Sequence, residues 1–338
     1  MSPRLRLALS DPRWWLLVAA FVTTCAAWAG LGWTASARRA DVLLVVDVTG
    51  SMNVRDYEVD HHPVSRLDFA KLAMSRFLRE LPCGSRLGLA IFTERRAFLL
   101  FEPMEVCENY DPILGALSAL DWRMAWEGDS QIANGLYSAL ELADDLRVNL
   151  VFLTDGQEAP PLPAAGRRPF GGTAGTVAGL ILGVGGDRPV PIPKFDEDGR
   201  EVGVFGPNDV DQENRSGPPP AAASQREGWH PRNAPFGGKA ATGQEHLSSV
   251  RETYLRALAK DVGLHYARLA LPDGIRQPFM AHAHLREEPE RTSLALPLAA
   301  LAWLLMVIAH LWPQGRLRNI YDRPQTSSMD IAKKGDEP

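Results

Sequence analysis

The sequence predicts an α/β domain, a doubly wound and mostly parallel sheet with one antiparallel edge hairpin, flanked by two transmembrane helices. Three observations carry this expectation. Short, uninterrupted apolar runs end at Asp47, Thr154 and Val184, the pattern of parallel strands buried on both faces. Segments with helical apolar spacing alternate with them, which is the order of a sheet wound through crossover helices. Charge-free apolar blocks stand near both ends of the 338 residues.

The first block runs from Trp14 to Trp33 and the second from Leu294 to Trp312. Each is close to the ~20 residues that cross a bilayer core as a helix. Trp14, Trp15, Trp33 and Trp312 sit at the edges, where indoles favour the interface. Arg4, Arg6 and Arg13 precede the first block, and Arg316, Arg318 and Arg323 follow the second, so both ends are expected in the cytoplasm. Arg38 and Arg39 argue weakly the other way. The expected layout is a cytoplasmic segment 1–13, a span at 14–34, an exported middle, a second span at 294–312 and a cytoplasmic tail at 313–338. In a bacterium this is a two-pass inner-membrane protein with its domain in the periplasm. A cleaved signal peptide is the alternative for the first block, because Ala35-Ser36-Ala37 has the small-x-small form of a cleavage site; the long apolar stretch favours an uncleaved anchor. A net charge of -5 offers no footing for nucleic acid.

The elements of the exported part, 40–270, follow in order. Asp41 to Asp47 reads as a buried parallel strand. From Arg66 to Leu81 apolar residues recur at Leu67, Ala70, Met74, Phe77 and Leu81, one face of a helix that Pro82 stops. Arg86–Phe92 and Ala97–Phe101 are strand-like and tightly joined, which implies a hairpin. Its midpoint near residue 95 sets Cys83 opposite Cys107, so a disulfide between them is expected; the alternative is two free thiols. A helix around 132–146 leads into strands at 147–154 and 176–184, and a helix at 250–262 into a strand at 264–269. Residues 205–245, rich in Gly and Pro, are expected as an irregular insertion, and 271–293 as a linker.

Chemistry concentrates where the first strand ends. Asp47-Val48-Thr49-Gly50-Ser51 alternates three oxygen-bearing side chains along a turn that Gly50 permits. Loops after the carboxyl ends of parallel strands are where such sheets bind ligands. Gly128-Asp129-Ser130 precedes a helix and offers another hydroxyl, and Asp155 follows the strand ending at Thr154. One carboxylate with several hydroxyls is a hard, oxygen-only site suited to Mg²⁺, Ca²⁺ or Mn²⁺ rather than zinc. A site with so few charges leaves the ion electrophilic, ready to take an outside carboxylate or water.

The segments "VVDVTGSM", "GDSQIANGL" and "VFLTDGQE" resemble the three metal-ion-dependent adhesion site segments of the von Willebrand factor A family. The resemblance covers roughly Asp41 to Leu269 and implies a Rossmann-like sheet. It implies that Asp47, Thr49 and Ser51 are metal ligands, that Ser130 takes the place of the family's Thr, and that Asp155 is the outer acid. Ser at 130 and the neighbouring Asp129 depart from the family pattern. "SRLDFAKLAMSRFL" and "GSRLGLAIFTERRAFLLFEPM" are similar to BatA-type bacterial proteins, which are associated with MoxR-type AAA+ ATPases. "DVTGSMNVRDY" with the two-anchor layout resembles the MxaL-type accessory proteins of methanol oxidation, which implies a part in maturing periplasmic methanol dehydrogenase or supplying its calcium. The expected function is docking, with a protein partner donating an acidic side chain to the ion.

Catalytic readings fare less well. A phosphatase nucleophile at Asp47 needs a second acid two residues on, where Thr49 stands. Ser51 as a hydrolase nucleophile needs a histidine that the sequence does not place there. His61-His62 and His282-x-His284 read as solvated pairs, Asp196-Glu197-Asp198-Gly199 as a surface turn, and Gly183-Val184-Gly185-Gly186 as a strand exit. Trp122 and Trp126 read equally as packing or as a contact surface.

Overall fold

The computed structural model describes residues 12–312 apart from 127, 164, 213 and 215–242, and gives the backbone alone at Arg291. Most of the expected insertion, the first eleven residues and the expected cytoplasmic tail therefore lie outside the described residues.

In chain order the elements are α1 (Pro12–Trp28), β1 (Gly32–Asp47), β2 (Tyr57–Val59), β3 (His62–Val64), α2 (Arg66–Glu80), β4 (Arg86–Thr93) and β5 (Arg96–Glu105). Then come α3 (Tyr110–Ala119), α4 (Ile132–Leu146), β6 (Asn149–Thr154), β7 (Gly179–Gly183), β8 (Val190–Pro191), β9 (Pro193–Phe195) and β10 (Glu201–Val204). The chain closes with β11 (Leu247–Ser248), α5 (Glu252–Val262), β12 (His265–Arg268), α6 (Arg276–His282), β13 (Leu285–Ser293) and α7 (Ala295–Leu311). The described residues between 38 and 288 make one compact unit; residues 12–37 with 289–312 make another.

The main sheet has the order β12-β7-β6-β1-β4-β5, with β13 paired to β1. β1 pairs in parallel with both β4 and β6, so Val42 to Val46 lie between two strands and under helices on both sides, with no solvent exposure. Alternate residues then feed two cores. Val42, Leu44 and Val46 pack with Phe69, Met74 and Phe77 of α2, Ile113 and Leu117 of α3, and Phe279 of α6. Leu43 and Val45 pack with Leu136 and Leu140 of α4 and Leu255 and Leu258 of α5. This is the doubly wound layout, and it explains why the strands read as unbroken apolar runs. The Ser65 hydroxyl accepts the Asp68 N–H and starts α2. Gly135 lets α4 lie against the sheet, since a Cβ there would stand 2.0 Å from the Phe92 ring.

β4 and β5 form the expected antiparallel hairpin, closing at Thr93 and Arg96. Two register irregularities lie along it, between Leu87 and Ala90. Cys83 and Cys107, beyond its open end, are joined by a disulfide with their Cα atoms 5.3 Å apart.

Two expectations are corrected. Residues 271–293, expected as a linker, contain α6, whose Phe279 is fully buried in the first core, and β13, which joins the sheet beside β1. The expected spans are not supported as membrane-crossing helices among the described residues. α1 ends at Trp28, because Gly30 turns the chain at φ 65° into β1, and Gly32 and Trp33 of the apolar block become strand. α1 and α7 have 17 residues each. That is about 25 Å of helix against about 30 Å of hydrocarbon. Among the described residues no helix is long and apolar enough to cross a membrane. Within their own unit α1 and α7 pack against each other and bury little beyond Ala20, Ala302 and Ala309.

The disulfide closes a loop across a sequence separation of 24. Loop-closure entropy puts its contribution at about 3–4 kcal/mol. The variant Cys83→Ser/Cys107→Ser is expected to lose that much unfolding free energy in urea titration under oxidising conditions, and a midpoint equal to that of the native chain would refute the assignment.

Candidate functional site

Three loops at the carboxyl ends of β1, β6 and the segment before α4 meet at one place. Asp47, the last residue of β1, is fully buried. One carboxylate oxygen accepts the Thr49 N–H at 2.9 Å and the Thr49 hydroxyl at 2.7 Å; the other accepts the Thr154 hydroxyl at 2.6 Å. β1 and β6 are parallel neighbours, so Thr154 at the end of β6 reaches Asp47 directly. A short 3-10 turn, Gly50–Asn53, then brings Ser51 back toward the strand end.

The second loop is held by the third. Ser130 donates its N–H to the Ala159 carbonyl at 2.6 Å and accepts the Ala159 N–H at 2.8 Å. Glu158 accepts the N–H groups of Ile132 and Ala133, which caps α4 with an acid where the helix presents its unsatisfied donors. Tyr254 of α5 donates its hydroxyl to the same carboxylate. Burial raises the Glu158 pKa against the pull of these donors. The result is a pocket of about 270 Å³ whose wall includes Thr49, Ser51 and Ser130.

Asp155 stands beneath that wall, with no exposure. It accepts the Gln157 N–H at 2.9 Å, the Arg66 guanidinium at 2.6 Å and the Ser248 hydroxyl at 3.0 Å. Arg66 is fully buried at the first turn of α2. It also grips Asp56 and donates to the Ser248 hydroxyl and carbonyl, with a longer contact of 3.5 Å to the Ser51 carbonyl. Burial alone would lower its pKa; Asp155 and Asp56 hold it above the ordinary arginine value. Arg66, Asp56, Thr154 and Ser248 all escaped the sequence reading. Arg66 carried the one available signal, a strong charge at a position on the buried stripe of a helix.

The fit to a divalent cation can be judged from unpartnered atoms. Ser51 Oγ and Ser130 Oγ are buried and have no hydrogen-bond partner. A buried hydroxyl without a partner is costly, on the order of 1–3 kcal/mol, and normally finds one. Both line the pocket that Thr49, hydrogen-bonded to Asp47, also lines. The Thr49 proton is committed to Asp47, which leaves its lone pairs for another partner. One carboxylate and three hydroxyls suit a hard cation. Burial, with Asp155 nearby, pushes the Asp47 carboxyl up to about 7, against the hydrogen bonds from Thr154 and Thr49.

The remaining sequence candidates sort cleanly. Among the described residues the one cluster of histidine, cysteine or acidic ligand atoms compact enough for a metal is Cys83, Glu105 and Cys107, and its two sulfurs are bonded to each other. His282 stacks on His265 with ring centroids 3.4 Å apart. Asp196 to Gly199 form the turn between β9 and β10, closed by backbone N–H bonds to the Asp196 carboxylate. Trp122 stacks on Phe195, and Trp126 sets its edge against Phe98 while remaining 57% exposed.

Residues 42–157 match the family model described as the von Willebrand factor type A domain. No curated protein matches the chain. Similar solved structures include an aerotolerance-related membrane protein from Bacteroides fragilis NCTC 9343, 16% identical, covering 69% of this chain and 93% of that one at a TM-score of 0.42. An uncharacterized membrane spanning protein from Vibrio fischeri is 19% identical, with 69% and 92% covered and a TM-score of 0.28. A von Willebrand factor type A protein from Catenulispora acidiphila is 13% identical, with 81% and 43% covered and a TM-score of 0.37.

Two outcomes are expected. Removing the guanidinium leaves two buried carboxylates uncompensated, so Arg66→Met should cost about 3–5 kcal/mol of unfolding free energy, and adding Asp155→Asn should restore part of it. Full stability in Arg66→Met would contradict the buried ion pairs. Asp47 is ionised above about 4 when unfolded but stays protonated to about 7 in the metal-free fold. Its favourable contribution to metal-free stability is therefore complete at acidic pH and is lost as pH rises through that window. A cation needs the ionised form, so Mg²⁺ affinity should rise with pH up to about 7 and then level off, with proton release seen by calorimetry in buffers of different ionisation enthalpy.

Proposed function

From a chain that carries a von Willebrand factor type A domain, we propose a docking module that binds one divalent cation, Mg²⁺ or else Ca²⁺ or Mn²⁺, and engages a protein partner through it. Asp47, Thr49, Ser51 and Ser130 hold the ion, and Asp155 serves as the outer acid. The observation that carries this reading is the pair of buried, unpartnered hydroxyls, Ser51 and Ser130, delivered to one pocket by separate loops. The ion would supply a Lewis-acidic centre that a partner's acidic side chain completes. The chain's own residues set up that contact. Thr154 and Thr49 orient the Asp47 carboxylate, Arg66 fixes Asp155, and Glu158 holds Ser130 by anchoring the start of α4.

Docking rather than catalysis is favoured because no histidine lines the pocket and each acid at its base is already engaged. The proposed location is the bacterial inner membrane, with the domain on the periplasmic side. The disulfide suits an oxidising compartment. α1 and α7 present Phe21, Trp28, Leu296 and Leu311 outward, an apolar surface suited to a bilayer. The narrower role, as an assembly factor for a periplasmic enzyme such as methanol dehydrogenase or as a partner of a MoxR-type ATPase, rests on the sequence segments named above. A calcium-delivering chaperone is the competing role.

Partner capture from solubilised membranes is expected with Mg²⁺, and should be lost with EDTA and in Asp47→Ala of native-like stability. Capture that survives both treatments would end the docking reading. Stoichiometric transfer of radiolabelled Ca²⁺ to the captured partner would select the chaperone role instead.

A further inference from the structure

The third loop brings one more side chain to the pocket. Gln157 follows Asp155 by two residues, and Gly156 between them takes a φ of 80°. The two side chains go different ways. Asp155 is held by Arg66 and Ser248, whereas Gln157 lies in the pocket wall with Thr49, Ser51 and Ser130. The Gln157 backbone N–H is bonded to the Asp155 carboxylate at 2.9 Å, which anchors the residue at its base.

Its amide is anchored as well. Gln157 is 4% exposed. Nε2 donates to the Glu245 carbonyl at 2.9 Å, with a longer contact of 3.4 Å to the Leu247 carbonyl. Carbonyl oxygens accept and do not donate, so these contacts fix which end of the amide is nitrogen. Turning the group over would set oxygen against oxygen. Oε1 therefore takes the other side of the amide, buried and without a hydrogen-bond partner among the described residues. A serine hydroxyl there could donate or accept; an amide oxygen only accepts. Buried acceptors normally have a donor. A carboxylate offers none, so an acidic side chain brought by a partner does not meet the need.

A water carried by a cation does. The ion polarises the O–H bonds of its waters, and a small hard cation with few protein ligands keeps several of them. Resting on the cation-site reading above, we propose that Gln157 is a further binding residue of that site, its amide oxygen accepting a hydrogen bond from a water in the cation's shell. The contact adds no charge, so it steadies the ion without blunting its pull on an outside carboxylate. It also links the ion to the segment that enters β11, because the nitrogen of the same amide holds the Glu245 and Leu247 carbonyls.

Mn²⁺ serves as the probe, since its paramagnetism reports both binding and water. Electron paramagnetic resonance titration of the detergent-solubilised full chain gives its affinity. Relaxation of ¹⁷O in the solvent gives the number and residence time of the waters on the bound ion. In Gln157→Met the Mn²⁺ Kd should rise about tenfold, the usual effect of losing an outer hydrogen bond at a metal site. The number of bound waters should stay the same, with a shorter residence time. Gln157→Asn keeps the amide but draws it back by one methylene, so it should weaken binding less, and it carries the test alone if the methionine variant does not fold. A purely structural Gln157 would lower the unfolding midpoint equally with and without Mn²⁺ and leave Kd and residence time unchanged, which overturns the proposal. A gain of one bound water in the variant also overturns it, since the oxygen would then have sat on the ion itself. Failure of the cation site looks different: the native chain binds no Mn²⁺, or Asp47→Ala binds it undiminished, and both readings then fall together.

Discussion

Arg66 has no solvent exposure, and its guanidinium is shared among Asp56, Asp155 and Ser248. Those residues come from the stretch before β2, the end of β6 and the short return strand β11, so one side chain ties together segments far apart in sequence. A buried cation tolerates no slack: lose one anionic partner and the rest become expensive. The guanidinium thereby fixes where Asp155 points and, through Ser248, where the chain re-enters the domain after the 205–245 region. The site above it inherits that rigidity. Asp47 is oriented by Thr154, the residue directly before Asp155, so the first and third loops are set by the same strand end.

Much of the fold was legible. β1, β6 and β7 showed as unbroken apolar runs because helices cover both faces of the sheet; α2 and α4 showed as periodic ones because each covers only one. The β4–β5 hairpin was legible from its tight connection. β13 was not: Leu285 to Ser293 alternates charge and polarity, and its place beside β1 comes from pairing rather than composition. α3 was missed because Pro112 and Gly115 dilute its helical signal, though Ile113 and Leu117 are fully buried. α1 was read too long, because hydropathy continues through Trp33 while the backbone turns at Gly30.

The candidate site was legible in its proposed donors and not in their supports. Asp47, Thr49, Ser51, Ser130 and Asp155 stand in short motifs at strand and helix ends, where spacing alone brings them forward. Arg66, Thr154, Ser248 and Glu158 work through contacts spanning 89, 107, 93 and 25 residues. No local pattern encodes such separations.

The β4–β5 hairpin also bears on the fate of the sheet. β5 is the last strand in the sheet order, and an edge strand is the usual starting point for domain swapping and fibre growth. Cys83–Cys107 fastens the base of that ribbon, so β5 cannot peel off and exchange with a neighbour while the covalent link holds. At the opposite margin β12 is only four residues long, too short to template much. Neighbouring chains are in this way kept from stitching their sheets into one.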